Sequence, residues 1–378
     1  MPEDTILDNA ALVLPDGLCR GALRIRDGYI TAIDTGAATR GGEDMEGDYL
    51  LPGLVELHTD TLERHIEPRP GVDWPHAAAI VAHDRELASH GITTVFDAMR
   101  VGSLAEGAGR DGAYARALSG ELMAMRDAGA LAISHFLHLR AELCSETLTA
   151  ELDAFAPGDR VRLVSIMDHT PGARQFRDLA QLRRYHEGKG GGGADFEAHV
   201  ARLQSLGERV RDAHERVAVD AAGRLGATLA SHDDTEPEHA ARASGIGARL
   251  AEFPTTERAA RACRAHALAV MIGAPNLIRG GSHSGNVAGR DLAGAGLIDI
   301  LSSDYVPAAL LSGAFQLGEI MGDPPAGIRA VTEAPARAAG LTDRGRLAPG
   351  LRADLLRVRV IAGVPVPRGT WVLGRRVA

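Results

Sequence analysis

Aromatic residues make up only 4% of this 378-residue chain, and its formal net charge is −9. A nucleic-acid surface needs a basic stripe with rings on which bases can stack, so no nucleic-acid partner is expected. Cysteine is scarce as well: Cys19, Cys144 and Cys263 are scattered and form no CxxC pair. Neither a disulfide framework nor a thiolate zinc site follows, and small core thiols are the simpler reading. Long apolar runs are missing. Stretches such as Leu355–Val366 are broken by Arg or Pro well short of the roughly 20 residues that span a bilayer, so no membrane span is expected. The first residues, Met1-Pro2-Glu3-Asp4-Thr5, are acidic and lack the basic flank and apolar core of a signal peptide, which leads to the expectation of a cytoplasmic location.

With 45% hydrophobic residues the chain can bury a large core. Both ends read as short strands and turns. Ile6–Leu14, a turn at Pro15-Asp16-Gly17, Gly21–Arg26 and Tyr29–Asp34 form one group, and the stretch from about residue 346 to the end repeats that grammar. Neither group has enough strands to bury a face alone, so the two should pair. Between them, eight apolar runs alternate with helical stretches. They lie near Leu51–Leu57, Thr93–Asp97, Leu131–Leu139, Val161–Met167, Ala227–Ala230, Ala248–Glu252, Ala269–Gly273 and Ile298–Leu301. The stretch His76–His90 puts Ile80, Val81, Asp84, Leu87 and Ala88 on one helix face. An open doubly wound sheet would call for a Gly-rich fingerprint after its first strand, where Leu57-His58-Thr59-Asp60 stands instead. The expected fold is therefore α/β: a (β/α)8 TIM-like barrel over residues 51–345, with a small β-sandwich built from residues 1–50 and 346–378.

Catalytic groups of such a barrel sit at the C-terminal ends of its strands. Here those ends are heavily polar. They carry His58-Thr59-Asp60, His138-Leu139-Arg140-Ala141-Glu142, Asp168-His169, His232-Asp233-Asp234, Glu252 and Ser302-Ser303-Asp304. Any one of these is more simply a cap or a turn former. Together they would converge on one small volume, where unpaired carboxylates repel unless a cation neutralises them. A divalent metal, as a pair of ions, is the economical explanation, and imidazole with carboxylate suits Zn, Mn, Fe or Ni.

Pro52-Gly53-Leu54-Val55-Glu56-Leu57-His58-Thr59-Asp60 resembles the first-strand metal motif of the amidohydrolase superfamily, and Gly345-Arg346-Leu347-Ala348-Pro349-Gly350-Leu351-Arg352-Ala353-Asp354 resembles its return to the β unit. The second motif histidine is replaced by Asp60. The fuller set resembles one family of that superfamily, the ribosyl-phosphonate triphosphate diphosphatases of phosphonate breakdown. It comprises Pro68-Arg69-Pro70-Gly71, Met167-Asp168-His169-Thr170-Pro171-Gly172, Ala230-Ser231-His232-Asp233-Asp234-Thr235, Ala251-Glu252-Phe253-Pro254-Thr255-Thr256, Gly280-Gly281-Ser282-His283-Ser284-Gly285-Asn286 and Leu301-Ser302-Ser303-Asp304-Tyr305-Val306-Pro307. The resemblance implies that His58, Asp60, His169 and His232 bind metal, and that Asp304 both binds metal and takes a proton from the attacking water. Glu142 either bridges two ions or is a salt-bridged loop residue.

The implied substrate is a phosphorylated ribose carrying a triphosphate, so a chain of net charge −9 needs local positive charge. Arg64, Arg69, Arg100, Arg174 and Arg279 are the candidates, with His283, Ser284 and Asn286 in a Gly-rich segment that is either a phosphate-binding nest or a plain turn. The connection over residues 171–195 is either a lid or a surface loop without a role. Two rival readings keep the barrel: an enzyme that opens a cyclic amide or deaminates a base, and an inactive structural barrel. The only protein partner envisaged is a further copy of the chain, as a homo-oligomer.

Overall fold

The computed structural model describes residues 5–36, 41–104, 114–174, 177, 179–180, 182–183, 196–282 and 285–378. Eight parallel strands run in sequence order around one sheet: β6 (Leu54–Thr59), β7 (Ile92–Val101), β8 (Ser134–Glu142), β9 (Val161–Met167), β10 (Thr228–His232), β11 (Leu250–Glu252), β12 (Ala269–Gly273) and β13 (Ile300–Ser302). These are the eight apolar runs, and they are buried on both faces because helices cover the outside and the strands close on themselves.

The seam between β6 and β13 is made by other means than a strand ladder. Val55 N donates to the Val331 carbonyl (2.9 Å) and Leu301 N to the Ala330 carbonyl (3.0 Å), so the 330–331 segment caps the gap low down. Higher up, the buried Glu56 carboxylate takes hydrogen bonds from His58 N (2.7 Å), Ser302 Oγ (2.7 Å) and Ser303 N.

Strand periodicity of two sorts the barrel interior into layers. Val55, Phe96, Phe136, Leu163, Ala230, Leu250, Met271 and Ile300 contribute to one apolar cluster drawn from all eight strands. Two residues further along come His138, Ser165, His232, Glu252 and Ser302, all buried and polar. The interior is thus an apolar floor beneath a polar layer. On β8 the same side continues from Phe136 through His138 to Arg140. Its opposite side carries Leu137 and Leu139 into the larger core under the helices.

Helix His76–Ser89 follows the sequence expectation, with Ile80, Leu87 and Ala88 buried. Its inner face also carries polar groups. His83 Nε2 lies 2.8 Å from Asp97 on β7, His135 Nδ1 of β8 lies 2.8 Å from the other Asp97 oxygen, and Asp84 accepts from the backbone of Ala132 and Ile133.

The chain ends join in a second sheet, ordered β16-β15-β14-β5-β1-β2-β3 with β4 beside β1. These strands are β1 (Thr5–Leu14), β2 (Gly17–Arg26), β3 (Tyr29–Thr35), β4 (Glu43–Asp44), β5 (Tyr49–Pro52), β14 (Leu355–Ile361), β15 (Val364–Val372) and β16 (Arg375–Arg376). It is one continuous sheet that curls over its own core of Leu7, Leu12, Leu23, Ile30, Leu50, Leu355 and Trp371. The curl brings Tyr29 into a bridge with Arg352 and sets Gly28 (φ +85) against Leu373. A side chain at Gly28 would meet the Leu373 carbonyl at 3.1 Å, so the close approach and the backbone conformation both favour glycine. Residues 171–195, read from the sequence as a lid or a plain loop, lie largely outside the described residues.

Candidate metal centre and active site

Above the polar layer, at the C-terminal ends of the strands, a cavity of about 390 Å³ opens. His58, Asp60, Arg140, His169, His232, Asp233 and Asp304 line it, with Arg279, Ser282 and Asn286 on one wall. The strand ends aim these groups inward. A register shift between Glu56 and Thr59 bends the end of β6, as bulges do when they redirect a side chain. Asp233 and Asp304 follow β10 and β13 in the left-handed region (both φ 55), which turns each carboxylate out of the strand direction. Thr59 Oγ1 donates to the Asp304 carbonyl (2.8 Å) and ties the first strand end to the last.

Two buried carboxylates stand behind the imidazoles. His169 Nδ1 lies 2.5 Å from Glu142 Oε2, and His232 Nδ1 lies 2.9 Å from Glu252 Oε2. A carboxylate accepts, so each ring carries its proton on Nδ1 and turns Nε2 toward Asp233, at 4.0 Å from His169 and 3.5 Å from His232. This is the arrangement by which a carboxylate fixes the tautomer of a metal-binding histidine. Glu252 also lies 3.3 Å from His58 Nδ1. His138 differs: its Nδ1 donates to the Leu57 carbonyl (3.0 Å) and its Nε2 is 2.8 Å from Ser165 Oγ, so it is a satisfied core histidine.

The electrostatics favour a cation. Burial holds His58 well below the usual imidazole range and pushes His232 down to about 3, so both rings are neutral and offer lone pairs. Burial, then the neighbouring Asp60, pushes the Asp304 carboxyl up to about 7, and burial lifts Asp233 to about 6. Carboxyls crowded without a counter-charge behave in this way. Among the described residues, buried His58 Nδ1, Asp233 Oδ2 and Glu252 Oε1 are among the atoms that find no hydrogen-bond partner. His169, His232 and Asp233 bring ligand atoms within 4.8 Å of one another, as do His58, His138 and Glu252. Nitrogen and carboxylate donors without thiolate, with orphaned polar atoms among them, fit divalent metal.

The residues singled out from the sequence fare unequally. His58, Asp60, His169, His232 and Asp304 share the cavity, as do Arg279 and Asn286. Glu142 does not line it: it sits behind His169 and also takes Arg100 Nη2 at 3.5 Å. Arg64 points away and pairs with Glu86 (2.6 Å), and Arg69 is exposed in a local bridge with Val72. Arg174 is turned from phosphate duty, because its Nη1 donates to the His232 carbonyl (2.6 Å) and to Asp234 (2.7 Å). It braces the backbone of His232. His283 and Ser284 lie outside the described residues. The sequence reading named Arg140, Asp233 and Glu252 among polar strand ends without giving them roles. Strand parity from Phe136 would have found Arg140.

No protein-family model matches the chain. The alpha-D-ribose 1-methylphosphonate 5-triphosphate diphosphatase of Escherichia coli (strain K12) is 39% identical over 356 residues, covering 93% of this chain and 94% of that one. The chain belongs to that diphosphatase family.

Solved structures share the fold of this family member across its length. N-acetyl-D-glucosamine-6-phosphate deacetylase from Mycobacterium smegmatis aligns with a TM-score of 0.62 at 15% identity, covering 99% of each chain. The 5-methylcytosine deaminase from Klebsiella pneumoniae gives 0.61 at 17% identity, covering 99% of this chain and 98% of its own. At such identities the likeness speaks for the barrel and its companion sheet, and the chemistry rests on the cavity. The relatives are hydrolases, and no helix among the described residues is long and apolar enough to cross a membrane.

Proposed function

We propose that the chain is a metal-dependent diphosphatase that hydrolyses α-D-ribose 1-methylphosphonate 5-triphosphate to the 5-phosphate and pyrophosphate. The observation that carries the reading is the shared wall of one cavity: neutral His58 and His232 face Asp60, Asp233 and Asp304, while Arg140 and Arg279 bring positive charge beside them. His58, Asp60, His169, His232, Asp233 and Asp304 would hold divalent metal, with Glu142 and Glu252 orienting the rings from behind. Bound there, metal would supply Lewis-acid polarisation of a phosphoryl oxygen and acidify a water.

Asp304 is the proton acceptor in this reading. It is half-buried and opens on the cavity, and its high proton affinity reflects desolvation first and then crowding by Asp60, which a cation relieves. Arg140 Nη1, 3.8 Å from Asp60, and Arg279 stand where they can neutralise the triphosphate chain as pyrophosphate leaves. Pyrophosphate is a stabilised anion, so charge neutralisation contributes more than a strong general acid.

The test is phosphorus NMR of metal-replete protein incubated with the ribosyl methylphosphonate triphosphate. Pyrophosphate and the 5-phosphate are expected as first products. Successive release of orthophosphate, or no turnover while a cyclic amide or an aminated base is hydrolysed, would overturn the proposal.

A further inference from the structure

The opposite, N-terminal end of the barrel holds a second and larger basin, of about 870 Å³, between the strand starts and the curled end sheet. Six arginines line it: Arg126, Arg160, Arg162, Arg344, Arg352 and Arg375. Among the described residues, Asp343 is the one acidic group in the lining. Some of this charge is spent locally, since Arg126 pairs with Asp127 (2.6 Å), Arg344 with Asp343 (2.8 Å) and Arg352 with Asp354 (2.8 Å). Arg160, Arg162 and Arg375 have no carboxylate at ion-pair distance among the described residues.

Arg160 is built in rather than dangling. Its Nε donates to the His135 carbonyl (3.0 Å) and its guanidinium lies 4.1 Å over the Phe136 ring, part of the barrel floor. Arg162, the second residue of β9, is exposed and lines the same basin. Partial burial, then the neighbouring Arg126, Arg344, Arg162 and Arg352, pushes the Arg160 guanidinium down to about 10. Like charges are thus held together at a cost that a bound anion would remove.

We infer that this basin binds a multiply charged phosphoryl anion, distinct from the substrate in the cavity at the other end. Guanidinium forks match phosphate oxygens two at a time, and several forks around one concavity suit a di- or polyanion better than a single carboxylate. The positive charge is local in a chain whose net charge is −9. A nucleic-acid strand fits less well, because the basin is concave and the one aromatic residue that lines it among the described residues, Phe136, is buried beneath Arg160. Inorganic pyrophosphate and the phosphoryl end of a sugar phosphate share the required chemistry. The inference does not depend on the reaction proposed above.

The test is calorimetric titration of metal-loaded, full-length protein with inorganic pyrophosphate and, separately, with ribose 5-phosphate and with a short oligoribonucleotide. The double variant Arg162→Gln/Arg375→Gln changes two exposed side chains and leaves the Arg160–Phe136 stack in place. We expect it to weaken one class of site at least about tenfold for one or both probes while turnover is unchanged. Arg279→Gln should affect the other class. The probe that loses affinity identifies the source of the phosphoryl group. Wild-type affinity and stoichiometry in the double variant, or an effect confined to an oligoribonucleotide, would overturn the inference.

Discussion

Glu252→Gln tests how the cavity is wired. In the wild type one fully buried carboxylate faces three rings: His232 Nδ1 at 2.9 Å, His58 Nδ1 at 3.3 Å and His138 Nε2 at 3.4 Å. An amide of the same shape has one accepting end. If its NH₂ faces His232, that ring must move its proton to Nε2, and the cavity then meets N–H where it had a lone pair. If the amide flips, the NH₂ meets His138 Nε2, which already receives the Ser165 hydroxyl. Orienting partners of this kind are worth about 10–100-fold in metal affinity, or about 1.4–2.8 kcal/mol. The assay is competition between metal-free protein and a chromogenic chelator for Zn or Mn. Melting curves in excess chelator, compared between variant and wild type, separate a folding defect from a binding one. Unchanged metal affinity in a folded variant would refute the reasoning that Glu252 sets the tautomers.

Asp304→Asn should lower kcat by at least about 10²-fold with a smaller effect on KM, measured by pyrophosphate release; turnover near wild type would remove Asp304 as proton acceptor. Arg279→Gln should raise KM for the triphosphate more than the inhibition constant of the monophosphate product, whereas Arg174→Gln should lower metal content, because Arg174 braces the His232 carbonyl and Asp234. Equal behaviour of the two variants would contradict that division. Away from the cavity, burial alone would pull His135 down, but Asp97 and Asp84 outweigh it and raise the ring from 6.5 to about 9. A raised pKa stabilises the fold fully below pH 6.5 and loses that contribution as pH rises through about 9, so urea midpoints in chelator should fall over this window and His135→Asn should lack that component.

The architecture was legible because burial on both faces forces parallel barrel strands into apolar runs, and these eight runs mark β6 to β13. The polar strand ends also marked most of the groups that line the cavity. Which way each polar residue faces was harder to read, since that depends on strand parity and on bulges. Arg140 enters the cavity because it stands four residues from Phe136 on β8, and Arg174 misses it because Asp234 and a carbonyl capture its guanidinium. The role of Glu142 turns on side-chain contacts with His169 and Arg100. The end sheet was visible as strands, but its curl rests on contacts such as Gly28 with Leu373 that span most of the sequence.

The seam between β6 and β13 joins residues 244 positions apart, where Ser302 Oγ lies 2.7 Å from the His58 carbonyl. Glu56 registers the same two strands, so the spacing between His58 and Asp304 is set by side chains from opposite ends of the barrel sequence. During synthesis, His58 and Asp60 emerge early and remain without Asp304 until the last barrel strand has followed. A chain interrupted before β13 would carry most of the polar residues that line the cavity and none of the closure that gathers them. Competence for catalysis is in this sense a property of the finished polypeptide, acquired in the step that also shuts the barrel.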